Sequence, residues 1–128
     1  MNKVILDASA LLAFINRESG ANIVRNILPY SVMSTVNVTE VICNLHIKIG
    51  VPILEAQEIT VNAVYEIIPF DLKTSFKASQ LIEYTKAFGL SLADRACIAT
   101  GILHNLPIYT ADQAWSKLIK IPQINLIR

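Results

Sequence analysis

Four acidic residues occupy similar places in the pattern of strands and helices that the sequence predicts. They are Asp7, Glu40, Asp94 and Asp112. Asp7 and Asp112 each follow a short apolar run that reads as a buried strand, whereas the other two fall in the first turns of predicted helices. A helix that precedes a parallel strand runs antiparallel to it, so its N-terminus lies at the edge where the strands end. We therefore expect all four carboxylates at one edge of one sheet.

Carboxylates gathered in this way favour a particular chemistry. Crowded acids repel each other, and burial raises their pKa values. A divalent cation removes that cost, and Mg²⁺ or Mn²⁺ prefers carboxylate and water oxygens as ligands. Such clusters activate a water molecule and stabilise charge during phosphodiester cleavage. The acids thus predict a metal-dependent site for hydrolysis of a phosphodiester.

Helix capping is the competing explanation for each acid taken singly, because Asp and Glu are favoured at helix N-termini. Residues 91–94 (SLAD) have the form of a capping box, and residues 37–40 (NVTE) resemble one. Asp71 also follows a strand and is expected to be a plain N-cap. Capping accounts for each acid but does not account for their convergence on one edge.

Several other polar side chains are candidates for supporting roles. Ser9 and Thr110 flank the acids, and their hydroxyls could support a carboxylate or a water molecule, or could equally be turn residues. The two histidines, His46 and His104, fall within helices and are expected to be packing or surface residues. Trp115 is expected to anchor the core. There is no Gly-rich phosphate loop, which argues against use of a nucleoside triphosphate.

The elements that position these residues alternate along the chain. Strands are predicted at 3–6, 30–34, 65–70, 107–110 and 124–127. Between them lie about seven helices, including a long one at 71–88 and short ones at 21–28 and 111–118. This alternation predicts an α/β fold in which a parallel sheet is covered by helices on both faces, in three α/β/α layers. The length suits a single domain over residues 1–128.

The composition limits the possible partners. The net charge of +1 gives no strong global field for nucleic acid, so a local patch would have to bind it. The charged fraction of 16% is low, which indicates surface buried by a partner or a second copy. No segment reads as a membrane span, and Asp7 interrupts the apolar stretch that a secretion signal would need. Cys43 and Cys97 are expected to be buried free thiols in a reducing cytoplasm.

These motifs resemble the PIN-domain family and, within it, the VapC-type toxins of toxin–antitoxin pairs. The resemblance covers essentially the whole chain. Its motifs are residues 4–10 (VILDASA), 39–40 (TE), 89–97 (GLSLADRAC) and 110–115 (TADQAW). The last two, in this order and at this distance, are the more specific. Ala93 departs from the pattern, because many members have Gly before the third acid, but an alanine fits easily in a first helical turn.

The resemblance implies a sheet in the order 3-2-1-4-5 and a Mg²⁺- or Mn²⁺-dependent ribonuclease that cleaves structured RNA. Position by position, Asp7 and Asp94 match the most direct metal ligands of the family, and Glu40 and Asp112 complete the site. The family also implies a cognate antitoxin that covers the acidic pocket, and a toxin homodimer or a larger toxin–antitoxin assembly. RNA is expected to bind a local basic rim from a set of four residues: Arg17, Lys48, Lys86 and Arg95.

Two other functions compete with the ribonuclease. The first is a non-catalytic PIN-like module that binds RNA or a protein, although degenerate members usually lose one or more of the acids. The second is a receiver-like phosphoacceptor domain, which shares the strand-end Asp. That domain needs an acidic pair after its first strand and a Lys near the end of its last strand, and neither pattern is clear here.

Overall fold

The computed structural model describes residues 2–128. The strands of this range are β1 (Val4–Leu6), β2 (Ser31–Ser34), β3 (Glu66–Ile68), β4 (Ile108–Thr110) and β5 (Ile124–Leu126). The α-helices of the same range are α1 (Ala8–Ile15), α2 (Ala21–Ile27), α3 (Thr35–Ile49), α4 (Ile53–Ala63), α5 (Leu72–Gln80), α6 (Ile82–Thr85) and α7 (Leu92–His104). Short 3₁₀ helices follow at Leu28–Tyr30, Lys86–Phe88 and Gln113–Lys117.

The strands form one parallel sheet in the order β3-β2-β1-β4-β5, as predicted. β1 is the central strand, and its Ile5 pairs with Val32 of β2 on one side and with Ile108 of β4 on the other. The chain builds β1, β2 and β3 outward in one direction, then returns to the far side of β1 to add β4 and β5. The carboxyl end of β1 therefore lies at the point where the strand order reverses, which is where open α/β sheets form their crevices.

Helices cover both faces of the sheet, which confirms the three predicted layers. Side chains alternate between faces along a strand. Accordingly, Leu6 packs in a core with buried residues of α1, α3 and α4, whereas the adjacent Ile5 packs with Ile98 of α7 and with Trp115. Trp115 is 1% exposed, so it anchors the core as expected.

Close packing of α7 against the sheet depends on a glycine. A Cβ atom added to Gly101 would lie 2.4 Å from Cγ1 of Ile108 in β4. Any larger residue would therefore push the helix from the strand or displace the isoleucine. This contact fixes the height of α7 above the sheet, and with it the position of the acid in its first turn.

The prediction of one long helix at 71–88 is wrong, because the segment is divided into three shorter helices. α5 ends at Gln80, α6 is a separate turn, and the segment closes as a 3₁₀ helix. The hydroxyls of Ser79 and Thr85 donate to the carbonyls four residues before them, at 2.7 and 2.8 Å. Such side-chain bonds compete with the helical ladder and bend helices.

Two smaller expectations also need correction. The predicted helix at 111–118 is a 3₁₀ helix over Gln113–Lys117. Cys43 is exposed, because the buried face of α3 is formed by Asn37, Val38, Val41 and Leu45, whereas Cys97 is fully buried as expected. Within residues 2–128, none of the helices has the length and apolar character that crossing a membrane requires.

Candidate active site

Asp7 lies at the carboxyl end of the central strand. Its backbone N–H donates to the carbonyl of Tyr109 at 3.0 Å, so the pairing of β1 with β4 continues up to this residue. Its side chain is 4% exposed. Asp7 is also the residue that precedes α1, but its carboxylate makes no capping hydrogen bond to that helix. The capping explanation therefore does not apply to the Asp7 side chain.

Two hydroxyls hold the Asp7 carboxylate instead. Ser9 Oγ donates to Oδ2 at 2.5 Å, and Thr110 Oγ1 donates to the same oxygen at 2.8 Å. The two hydroxyl oxygens are themselves 3.2 Å apart. Ser9 Oγ also accepts the backbone N–H of Ala111 at 3.0 Å, which ties the start of α1 to the end of β4. Both residues thus support the carboxylate, which decides a question that the sequence left open.

The pKa of Asp7 is raised from 3.8 to about 6, chiefly because burial disfavours its charged form. The hydrogen bonds from Ser9 and Thr110 lower the pKa, whereas the negative charges of Asp94 and Glu40 raise it. Asp94 and Glu40 therefore lie close enough to Asp7 for their charges to disfavour its charged form, as expected of acids at one edge of the sheet.

Glu40 lies in the second turn of α3 and is only partly buried. Its pKa is raised, first by burial and then by the charge of Asp94, against the lowering effect of a hydrogen bond from Asn37. That bond runs from Asn37 Nδ2 to Oε1 at 2.8 Å. The cap of α3 is Ser34, whose hydroxyl accepts from the N–H of Val36 at 3.2 Å. The resemblance of residues 37–40 to a capping box is therefore misleading.

Asp94 does form the predicted capping box. Its Oδ2 accepts the N–H of Ser91 at 2.9 Å, while its own N–H donates to Ser91 Oγ at 3.1 Å. Burial is the main cause of the raised pKa values of Asp7, Glu40 and Cys97, and the charge of Asp94 raises each of the three further. Asp94 is thus both a cap and a member of the acidic group. The two readings of this residue do not exclude each other.

Asp112 is the most peripheral of the four predicted acids. Its backbone N–H donates to Thr110 Oγ1 at 3.0 Å, which connects it through one hydroxyl to Asp7. Its side chain is exposed, and Oδ1 accepts the N–H of Ala114 at 3.0 Å as the cap of a 3₁₀ helix. The structure therefore places Asp112 beside the acidic group, with its carboxylate turned to the following turn.

The donor set of this group suits a hard divalent cation, since it consists of carboxylate oxygens that repel one another. In their present rotamers, however, the carboxylates are farther apart than the ligands of one metal ion would be. Among the described residues 2–128, no three His, Cys, Asp or Glu side chains are arranged as a ready metal-binding group. The Asp94 and Asp112 carboxylates are both engaged in capping. Rotation of these two side chains is what a metal ion would require.

Asn37 is a component of the site that the sequence reading missed. It is fully buried, and it bonds both to Glu40 and to the carbonyl of Ala93, the residue before Asp94. The available signal was its spacing, because position 37 is one helical turn before Glu40. The same spacing is also typical of a capping box, and that interpretation gave Asn37 no role in the site.

Of the four predicted basic residues, Lys48 is the one that lines a groove together with a residue of the site. That groove, of about 270 Å³, runs between α1 and α3 and includes Ser9, Asn44 and Lys48. Glu40, Asn44 and Lys48 are spaced four residues apart, so they form one stripe along α3. The groove thus places Lys48 on the same surface as Ser9, whose hydroxyl bonds to Asp7.

The other three basic residues lie elsewhere. Arg17 lines a separate groove with Phe14 and Arg25. Lys86 forms an exposed ion pair with Glu83 at 3.4 Å. Arg95 donates to the carbonyl of Leu90 at 2.9 Å and borders an apolar groove beside α5.

Two further residues behave as expected. Asp71 is a plain N-cap, whose Oδ1 accepts the N–H of Thr74 at 2.9 Å. His46 is a surface residue whose Nδ1 contacts the carbonyl of Val51 at 2.8 Å. Neither belongs to the acidic group.

Comparison with known proteins agrees with this fold. Residues 4–121 match the family model of the PIN domain. The sequence matches none of the curated proteins. Among solved structures, a toxin–antitoxin complex from Klebsiella pneumoniae superposes with a TM-score of 0.78 at 17% identity, over 98% of both chains. DNA-bound VapBC from Salmonella typhimurium gives 0.73 at 15% identity, over 100% of both chains. A VapBC family member from Mycobacterium tuberculosis gives 0.68 at 19%, over 100% of this chain and 99% of the other.

Proposed function

The chain belongs to the PIN-domain family, and we propose that it is a metal-dependent endoribonuclease, the toxin of a toxin–antitoxin pair. The observation that supports this most strongly is the convergence of the acids at the point where the strand order reverses. The charge of Asp94 raises the pKa of the part-buried Glu40 and of the buried Asp7, and the charge of Glu40 also raises the pKa of Asp7. Negative charges crowded together in a folded protein need a compensating group, and a divalent cation supplies one.

We assign Asp7, Asp94 and Asp112 as the residues that would hold Mg²⁺ or Mn²⁺, with Glu40 as the fourth catalytic acid. A bound divalent ion activates a water molecule and stabilises negative charge on the scissile phosphate. The chain's own contribution is to orient the acids. Ser9 and Thr110 direct Asp7 Oδ2, and Asn37 directs Glu40 Oε1. The two hydrogen bonds to Asp7 also favour its charged, metal-binding form.

The substrate in this proposal is structured cellular RNA, such as tRNA or rRNA, whose cleavage stops translation. Lys48 is our choice for a phosphate contact near the acids, since it shares a groove with Ser9. Eight residues of helix separate it from Glu40, which is about 12 Å along α3. A phosphate bound there belongs to a nucleotide a few positions from the cleavage point.

The proposed partner is a cognate antitoxin that covers the acidic pocket. Two of the similar structures are described as VapBC and one as a toxin–antitoxin complex, and the one from Salmonella typhimurium is described as bound to DNA. Large apolar side chains are exposed on α3, α4 and α5, including Ile47 and Leu54 at 77% each. Such surface suits a homodimer or a larger toxin–antitoxin assembly. We place this assembly in the cytoplasm. In it, this chain contributes a single PIN-like domain over residues 1–128.

Expression in growing bacteria tests the toxin assignment. Induction of the wild-type gene is expected to arrest translation, whereas induction of the Asp94→Asn gene is expected to leave translation unaffected. Co-expression of the protein encoded by a neighbouring short reading frame is expected to restore growth. That protein is also expected to co-purify with the toxin. Growth arrest of equal strength from the Asp94→Asn gene would contradict the proposal.

One observation favours a second candidate, a PIN-like module that binds RNA or a protein without cleaving it. Within residues 2–128 the acids are not gathered as a ready metal site. This candidate predicts that RNA incubated with Mn²⁺ and antitoxin-free protein is retained in a complex and remains intact. Cleaved RNA in the same sample would exclude it.

A further inference from the structure

Asn37 joins the two helices that present Glu40 and Asp94. It lies in the first turn of α3, and its Nδ2 donates to Glu40 Oε1 at 2.8 Å within that helix. The same Nδ2 donates to the backbone carbonyl of Ala93 at 3.1 Å, in the first turn of α7. Both partners are acceptors, which fixes the orientation of the amide. One NH₂ group thus holds a carboxylate of one helix against the turn that contains the next acid.

The burial of this amide is costly. Asn37 is 0% exposed, and among the described residues no donor lies within hydrogen-bonding distance of its Oδ1. A buried acceptor without a partner forfeits the energy of its hydration. An apolar side chain of the same branched shape, such as leucine, would avoid that cost. Packing alone therefore does not explain an asparagine at this position. The two hydrogen bonds that its Nδ2 donates do explain it.

From this geometry we propose that Asn37 is a positioning residue for metal binding, which fixes the separation between the Glu40 carboxylate and the helical turn of Asp94. This inference rests on the proposed function, because it presumes that the acids bind a divalent ion. Without the Nδ2 bonds, Glu40 can adopt other rotamers, and the first turns of α3 and α7 lose a polar connection. Asp94 is one of the residues assigned to hold the ion, and Asn37 bonds to the residue directly before it. Partners that orient metal ligands typically contribute 10- to 100-fold to metal affinity.

The experiment measures binding of Mn²⁺ to the purified, antitoxin-free protein without RNA, by calorimetry and by the electron paramagnetic resonance of free Mn²⁺. Asn37→Leu keeps the branched shape of the side chain but removes its donors, and Asn37→Ala is a second variant that avoids the added bulk of leucine. Thr60→Val is the matched control, because Thr60 is also 0% exposed and its hydroxyl donates to the carbonyl of Ala56 at 2.8 Å, outside the site.

Both Asn37 variants are expected to bind Mn²⁺ about 10- to 100-fold more weakly than wild type, with Thr60→Val unchanged. The Mn²⁺ concentration for half-maximal RNA cleavage is expected to rise by the same factor. Unchanged Mn²⁺ affinity in folded Asn37 variants would overturn this inference and leave the proposed function intact. Absence of Mn²⁺ binding by the wild type would overturn both. Failure of both Asn37 variants to fold, while Thr60→Val folds, would show a structural role only and would also overturn the inference.

Discussion

The hydroxyl of Thr110 donates a 2.8 Å hydrogen bond to Oδ2 of Asp7, across 103 positions of sequence. It links the carboxyl ends of the two strands between which the strand order reverses. Asp7 is almost fully buried, and this bond and the one from Ser9 are what favour its charged form there. The ability of the site to hold a cation therefore depends on two neutral hydroxyls as well as on the acids.

Replacing Thr110 by valine tests that dependence. Thr110→Val keeps the shape of the side chain but removes the donor, so the pKa of Asp7 is expected to rise further above its present value near 6. RNA cleavage is expected to fall about 10- to 100-fold, and the acidic limb of its pH profile to move to higher pH. Thr100→Val is the control, because Thr100 is buried but bonds only to the carbonyl of Ala96 in its own helix. An unshifted pH profile in Thr110→Val would contradict the assigned role.

Asp7 is expected to lower the stability of the metal-free protein. Because its pKa is raised from 3.8 to about 6 in the folded state, the folded protein binds more protons than the unfolded chain between these values. The free energy of unfolding therefore falls as pH rises through this window, by about 3 kcal/mol from this one group. Asp7→Asn is expected to remove that loss, so at pH 7.5 in chelator the variant unfolds at higher urea concentration than wild type.

The same variant is expected to be inactive, since an amide is a poor substitute for a carboxylate ligand. Urea unfolding at several pH values, with and without Mg²⁺, measures both effects. Added Mg²⁺ is expected to stabilise the wild type and not Asp7→Asn. Equal pH dependence of stability in the two proteins would contradict the raised pKa of Asp7.

Asp112 allows its two roles to be separated. Its Oδ1 caps the 3₁₀ helix at Ala114, and asparagine caps about as well as aspartate. Asp112→Asn is therefore expected to leave stability within about 0.5 kcal/mol, whereas Asp112→Ala is expected to lose about 1 kcal/mol. Both are expected to lower RNA cleavage if the carboxylate turns toward the metal. Full activity in Asp112→Asn would show that its carboxylate is only a cap.

Lys48 is expected to contribute to RNA binding rather than to the chemical step. Lys48→Ala is expected to reduce the slope of log affinity against log salt by about 0.7, the value for one contact to single-stranded phosphate. Lys86→Ala is the matched control, since Lys86 is exposed and paired with Glu83 far from the groove of Lys48. Inactive Asp94→Asn protein serves as the background for both. Equal slopes for the two lysine variants would remove Lys48 from the RNA path.

The parallel sheet and the convergence of Asp7, Glu40 and Asp94 were predictable because each depends on a local signal, whereas the strand order was implied by the resemblance to the family. Asp7 follows an apolar strand, and Asp94 stands in a helix start defined by Ser91. Strand alternation then brings such positions to one edge. The division of the predicted helix at 71–88 was not predictable in this way, because the hydroxyl bonds of Ser79 and Thr85 compete only weakly with the helical ladder.

The supporting contacts were harder to foresee because they join distant parts of the chain. Asn37 bonds to Ala93, which is 56 positions away, and Thr110 bonds to Asp7. Periodicity and capping rules act over a few residues and contain no information about such pairs. The direction of the Asp112 carboxylate depends on one side-chain torsion, which the sequence does not specify.

The most direct test of the central claim is cleavage of structured RNA by antitoxin-free protein, treated with chelator and then titrated with Mg²⁺ or Mn²⁺. Asp94→Asn is compared with Asp71→Asn, since both acids stand in the N-terminal turns of helices but only Asp94 belongs to the acidic group. We expect wild type and Asp71→Asn to cut at equal, metal-dependent rates, and Asp94→Asn to lose at least about 100-fold. Cleavage that persists in chelator, or that Asp94→Asn performs as fast as wild type, would contradict the account.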